Sequence, residues 1–512
     1  MVRDRDRIHP QRLHPIEQFG DAVGAVEEGI LAMGVEMNER HGSAAKVAVF
    51  SALMQWLLLA FTFIVFGLLQ RLARGGPVEA RATLALGLLT IAAYLAGTIV
   101  QRFRMPRIVG FLIAGFVAGP AWLGFIRGDE LVVLNAIGSG ALALIAFAVG
   151  GELTLDALRG PQRATILRMT TGAMAVPFIA VTLVVLTVSA WFPLTEHQPF
   201  KDALTVALAL GALATVASPT IVWAVITDSG AKGPISSTVR DVTMVQDLGA
   251  IVVFIMILAI SALVASPGAV TPGIPLRALL VLGGSLVAGV ALGLAAAEYL
   301  RAIHGHLEWV LLVFAFVVAQ ALRLAGLEPV LVSLAAGFAL RNAPSGRAVG
   351  ERVRHELARC ALPVYAVFFA LLGSNLQLSA LAEIWQWALL FAGLRAAGIW
   401  AGMRWAGRHN TISADLVDYG WLGSISQGGL AVTLAAILRR AFPEWNVSLE
   451  GLIVAMIGVH QLVGPICFHG ALRRTGEITQ AEESNVRELA SAGPAETAGA
   501  SPGVVASGSG MY

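Results

Sequence analysis

Apolar residues come in long runs along this chain, separated by short stretches rich in Arg, Gly and Pro. A helix needs roughly 20 apolar residues to cross a hydrocarbon core. Runs of that order fall at 46–70, 82–101, 107–124, 131–150, 164–191, 202–227, 236–264, 276–298, 308–325, 327–341, 360–375, 381–405, 415–438 and 449–472. The pattern predicts an all-α polytopic membrane protein with about 14 transmembrane helices, the runs at 327–341 and 360–375 being the shortest. The flanks read differently. In residues 1–43, Ile16, Phe19, Val23, Val26, Ile30, Met33 and Met37 recur at steps of three and four, one stripe of a helix. Its other face is acidic (Glu17, Asp21, Glu27, Glu28), which opposes docking on an anionic leaflet. Packing on the protein's own cytoplasmic face is expected, with a helix frayed by Gly20, Gly24, Gly29 and Gly34 as the alternative. Residues 477–512, rich in Ala, Gly, Ser and Glu, read as a disordered cytoplasmic tail. Residues 44–476 remain as one membrane domain.

Composition agrees. Of 512 residues, 57% are hydrophobic and 13% charged, against about 25% charged in soluble domains. The net charge of +2 leaves no nucleic-acid footprint. Cys360 and Cys467 cannot make a disulfide framework, and no CxxC or His-rich tract suggests a metal site or a cofactor. No nucleophile–base pair marks an enzyme. The charged start and the late first apolar run argue against a cleavable signal. With the N-terminus cytoplasmic, inside loops and the C-terminal tail carry nineteen Lys and Arg against nine outside. That bias supports an even number of spans with both termini in the cytoplasm, in a cell's inner membrane.

Two stretches repeat. Gly150, Leu153, Leu155, Ala157 and Leu158 match Gly373, Leu376, Leu378, Ala380 and Leu381 at an offset of 223. Ala114-Gly115-Phe116 matches Ala336-Gly337-Phe338 at 222. The copies sit an odd number of spans apart, so they enter the membrane from opposite sides: an inverted 6+6 repeat. Two repeat-related spans are broken at mid-depth. One holds Thr215-Val216-Ala217-Ser218-Pro219-Thr220, where Pro219 removes a donor. The other holds Ser424-Ile425-Ser426-Gln427-Gly428-Gly429. Broken helices at related positions point to an ion site at the midplane.

Asp247 lies mid-span after Gln246, and an ionisable group there is functional by default. Such a carboxylate holds a proton or a cation, a competition that is the chemistry of antiport. Gln246, Thr215, Ser218 and Thr220 are the candidate ligands around it, and Pro219, Ser426, Gln427 and Gly428 shape the breaks. Arg395, deep in an apolar run, is expected to neutralise half-helix C-terminal carbonyls or to pair with a carboxylate. Arg240 and Asp241 form a gate near the cytoplasmic mouth or a solvated helix end. His460 and Gln461 read as interhelical hydrogen-bonders, and Glu152 and Asp156 as caps or partners of Arg159.

These residues, with residues 106–120, Phe147 to Leu158, Phe368 to Leu378, and Gly464-Pro465 through Gly476-Glu477, resemble the cation:proton antiporter superfamily of sodium/hydrogen exchanger fold. The similarity spans roughly residues 82–477 and is nearest to the bacterial glutathione-gated potassium-efflux branch, whose pattern is Gln-Asp. The resemblance implies a homodimer in which a core domain moves as an elevator against a dimerisation domain. It also implies crossed half-helices framing the aspartate matching Asp247, the shared ligand of Na⁺ or K⁺ and H⁺, and a base matching Arg395 at the crossing. The tail leaves no room for the branch's nucleotide-binding domain, and the first span is extra. One carboxylate predicts electroneutral exchange. A gated cation channel or an ion-binding membrane sensor on this fold are the alternatives.

Overall fold

The structure, a computed structural model, describes residues 53–478 apart from 268, 272, 303–306, 345, 377, 409–411 and 443–445. The expected segment 1–43 and the tail from 479 lie outside the described residues. The chain divides into the units Met1–Phe61 and Thr62–Tyr512. Every regular element among the described residues is helical. The first helix, α1, is Leu53–Gly75. After it come α2 (Val78–Arg102), α3 (Arg107–Ala118), α4 (Gly128–Gly150), α5 (Leu155–Arg159), α6 (Arg163–Thr187), α7 (Phe200–Ala214), α8 (Pro219–Ser229) and α9 (Pro234–Val264). Then follow α10 (Ile274–Ala302), α11 (Leu307–Leu324), α12 (Pro329–Asn342), α13 (Gly346–Ser374), α14 (Leu378–Ala406), α15 (Ala414–Tyr419), a 3₁₀ turn (Gly420–Ile425), α16 (Gly429–Ala441) and α17 (Asn446–Arg474).

Among the described residues nine helices are long and apolar enough to span a membrane. The pair Ala414–Ile425 and Gly429–Ala441, bent by 51°, makes a tenth span, and α3 and α12 are shorter apolar helices. The run at 360–375 is the end of a 29-residue helix. Sequence reasoning shortens it because Glu351, Arg354 and Arg359 look like a loop; they ride on the polar start of α13.

Two bundles pack within the second unit. One gathers α6 to α9 with α14 to α17; the other gathers α2 to α4 with α10 to α13. Lipid tails are as apolar as Leu, so membrane helices associate through close packing of small residues. A Cβ on Gly115 would strike the backbone of Ala370, and one on Gly337 the backbone of Phe147. Likewise Gly373 abuts the backbone of Leu112, and Gly150 that of Leu334. The offsets of 222 and 223 found in the sequence turn each contact into its counterpart. Gly115→Leu is therefore expected to destabilise the protein by about 1–3 kcal/mol or more through overpacking. Gly75, with open space around it, tolerates Ala; melting curves in detergent compare the two.

Glu477, the first residue after the expected boundary at 476, packs on the membrane domain. Glu477 is buried and accepts hydrogen bonds from Ile235 N (2.6 Å) and Ser236 N (2.8 Å). A carboxylate on the free amides at the start of α9 also meets the positive end of its dipole. This long-range partnership has no local signal in a tail of Ala, Gly and Ser. Glu477→Gln turns one acceptor into a donor facing an N–H, and is expected to destabilise by about 1.5–3 kcal/mol. Thermal melting checks it, with Glu477→Asp as a shorter acceptor.

Candidate functional site

The two broken spans meet. Helix α7 stops at its C-cap Thr215, and Ser218 adopts extended backbone before α8 begins at Pro219. Proline fits the first turn of a helix and cannot continue a preceding one, which sets this break. Ser218 Oγ accepts from Ile221 N at 3.4 Å and lies 3.0 Å from Thr220 Oγ1. On the other span the 3₁₀ turn ends at Ile425, and Ser426, Gln427 and Gly428 lead into α16. A Cβ on Gly428 would collide with Ser218 Oγ, so the breaks lie side by side. Ser426 packs against Gly464 of α17 in the same way.

Arg395 of α14 is fully buried between them. Its Nε donates to Ala214 O (3.0 Å) and its Nη1 to Ile425 O (2.6 Å). Its Nη2 donates to Ser424 O at 3.0 Å and also to Val216 O. These carbonyls close the two half-helices, where unsatisfied acceptors and the negative ends of dipoles converge. Of the two expectations for Arg395, its hydrogen bonds fit the carbonyl one. Gln427 Nε2 donates to Leu213 O at 3.0 Å, and its Oε1 lies 3.0 Å from His460 Nδ1. His460 Nε2 lies 3.3 Å from Ala392 O. His460 thus bridges α17, α14 and the second break.

Gln246 and Asp247 are buried on α9, and Gln246 faces the first break. Gln246 Nε2 donates to Thr215 O at 2.9 Å, while Thr215 Oγ1 donates back to Ala212 O at 2.7 Å. Gln246 Oε1 and Asp247 Oδ1 are buried with no hydrogen-bond partner among the described residues. An unpartnered buried carboxylate oxygen is costly and calls for an explanation.

Nearer the start of α9, Arg240 donates from Nε to Asp241 Oδ1 (3.0 Å) and from Nη1 to Glu152 Oε2 (3.2 Å). The expected pairing of Glu152 with Arg159 is corrected: the fold brings α9 to Glu152, across 88 positions of sequence. Burial pushes the Glu152 carboxyl above its ordinary range, and Arg240 opposes the shift, followed by Arg354 and Arg341. Sequence reasoning also missed Asp228, which accepts from Arg107 N at 2.7 Å.

Two cavities flank the crossing. One, of about 670 Å³, is lined by Glu152, Trp223, Arg240, Arg341 and Tyr365, among others. The other, of about 850 Å³, is lined by Asn135, Glu328, Gly429, Thr433 and Gln461, among others. They take opposite ends of α12, Gly337 to Arg341 in the first and Pro329 and Val330 in the second, and share no lining residue. Asp247 lines neither.

The model of the sodium/hydrogen exchanger transmembrane family matches residues 86–469. The chain belongs to this family. These are multi-pass membrane transporters, not enzymes. The exchanger is similar in fold to the sodium proton antiporter MjNhaP1 of Methanocaldococcus jannaschii, solved at pH 8, with a TM-score of 0.57 at 17% identity over 80% of this chain and 99% of that one. An electron-microscopy structure of the same antiporter gives 0.56 at 16% identity, over 82% and 98%. Among curated proteins it is 32% identical to the Na(+)/H(+)-K(+) antiporter GerN of Bacillus cereus over 94 residues, 18% of this chain and 24% of that one. It is 36% identical over 75 residues, 15% of this chain and 26% of the relative, to an uncharacterized protein in the phaC 3' region of Methylorubrum extorquens. The matches thus span about a quarter of each curated relative.

Proposed function

We propose that this exchanger carries one Na⁺ or K⁺ against one H⁺, with Asp247 as the ligand that the two ions share. The observation that carries this reading is the buried, unpartnered Asp247 Oδ1 on a helix tied by Gln246 to the break at Thr215. Deprotonated, it awaits a cation; protonated, it is neutral and needs none. Gln246, Thr215, Ser218 and Thr220 complete the cation shell. Arg395, Pro219, Ser426, Gln427 and Gly428 hold the crossing open to it. Arg240 and Asp241 gate the cytoplasmic approach.

The chain crosses the inner membrane fourteen times with both termini cytoplasmic, as a homodimer, and its two six-helix repeats are inverted. The exchanged glycine contacts support the repeat. The bundle holding the crossing moves against the other. The separate cavities favour alternating access over a channel, which needs one continuous polar path. The printed name of the Bacillus cereus relative includes both Na⁺ and K⁺, so both belong in the test.

A pH dye in everted vesicles reads proton movement as Na⁺, K⁺ and Li⁺ are added in turn. Cation-triggered alkalinisation is the expected result, and silence to all three from inserted, folded protein rejects antiport. Clamping the membrane potential tests stoichiometry. A net charge per cycle would add about 2.3 kcal/mol per 100 mV, so a voltage-dependent rate rejects one-for-one exchange.

A further inference from the structure

On the face where α9 begins, charged pairs join the two bundles. Arg240 of α9 reaches Glu152, just beyond α4, at 3.2 Å. Asp228, near the end of α8, takes the backbone N–H of Arg107 at 2.7 Å, and its Oδ1 lies 3.6 Å from Arg107 Nε at the start of α3. Helices α8 and α9 belong to the bundle that holds the crossing; α3 and α4 belong to the other. The four side chains are between 7% and 31% exposed, so these are not the solvated surface pairs that contribute little.

The opposite face is built differently. There Glu328, at the start of α12, lines the larger cavity with Thr433 of α16, whose Oγ1 donates to Gly429 O at 3.2 Å. Glu328 stands 222 positions after Pro106, the neighbour of Arg107.

Position along α9 matters as well. Arg240 and Glu152 line the smaller cavity, and Asp247 does not. Seven residues at 1.5 Å rise separate Arg240 from Asp247, about 10 Å along the helix. Thr243 and Met244, between them, are fully buried.

We propose that the Arg240–Glu152 and Arg107–Asp228 pairs form an ionic latch between the bundles, closing the path from the smaller cavity to Asp247 until both pairs part. The proposal rests on the reading of Asp247 as the ion site. A displacement of a few ångströms between bundles cannot preserve contacts of this length. Removing Glu152 and Asp228 together takes away both carboxylates that bridge the bundles, while Arg240 keeps Asp241 on its own helix, so the ionic contact between bundles is lost without stranding that charge. The other charged groups facing Glu152 are Arg341 of α12 and Arg354 and Glu351 of α13, and Asp241 shares Arg240. The latch is therefore tested through both carboxylates together.

The test uses Thr243→Cys in a Cys360→Ser, Cys467→Ser background, reconstituted in vesicles. A small water-soluble thiol reagent is applied from each face in turn. With Glu152→Gln and Asp228→Asn added, labelling from one face is expected to quicken about tenfold or more. Glu152→Asp, beside an intact Asp228, keeps a carboxylate for Arg240 and is expected to label at a rate close to the parent's. Ser237→Cys, on the cavity wall, reports folding and is expected to label alike in every background. If the double variant does not fold, Glu152→Gln alone is expected to shift the rate in the same direction. Equal labelling of the Thr243→Cys thiol in parent and neutralised proteins, with that of Ser237→Cys unchanged, overturns the latch. Proton flux followed in the same vesicles separates the two ideas. A parent without flux rejects the Asp247 reading, while the labelling still decides the latch.

Discussion

Asp247→Asn is expected to reduce cation-triggered proton flux by at least about a hundredfold, equivalent to about 2.7 kcal/mol of lost ion stabilisation. Asparagine keeps the shape and one carbonyl oxygen but neither takes up a proton nor carries charge. The fold itself makes no claim on the carboxylate: Oδ1 has no partner among the described residues. Replacing a buried, unpartnered acid by a neutral amide removes a penalty. The variant is therefore expected to melt at or above the wild-type temperature while it fails to exchange. That combination separates an ion ligand from a structural acid, whose loss lowers activity and stability together. Exchange that persists in folded Asp247→Asn protein removes Asp247 as the shared ligand.

Arg395→Met is expected to have the opposite signature. It strips the hydrogen bonds from the carbonyls of Ala214, Val216, Ser424 and Ile425 at once. Each acceptor left buried and unpaired costs about 1–3 kcal/mol, so a total of at least about 4 kcal/mol is expected. The variant should give little folded protein on gel filtration, and what folds should melt far below wild type. Arg395→Lys places one charge but lacks the planar fork, so partial recovery is expected. A Met variant that melts like wild type would show that the crossing is held by packing alone.

Some of this is open to inspection in the chain. Residence in a membrane follows from the apolar runs, because a hydrocarbon core of fixed thickness demands helices of fixed length. The breaks follow from Pro219 and the Ser426-Gln427-Gly428 stretch, because such residues do not sit quietly inside a helix. Asp247 and Arg395 stand out because charge inside an apolar run needs a reason. The offsets of 222 and 223 name the glycines that meet facing backbones in the fold.

What the chain cannot disclose is who partners whom across long distances. Nothing near Glu152 announces Arg240, and nothing near Glu477 announces the start of α9. Local charge spacing makes Arg159 the natural partner of Glu152, and a low-complexity context makes Glu477 look like tail. The polar start of α13 reads as loop because hydropathy averages over a helix whose one end meets water and whose other end does not. Arg395 illustrates the division: its sequence position shows that a buried charge needs compensation and favours a structural role at the crossing, but does not name the partners. Only the packing of α14 against both breaks chose the carbonyls. Composition and periodicity act along the chain and are legible there, whereas hydrogen bonds between distant segments exist only once the helices have packed.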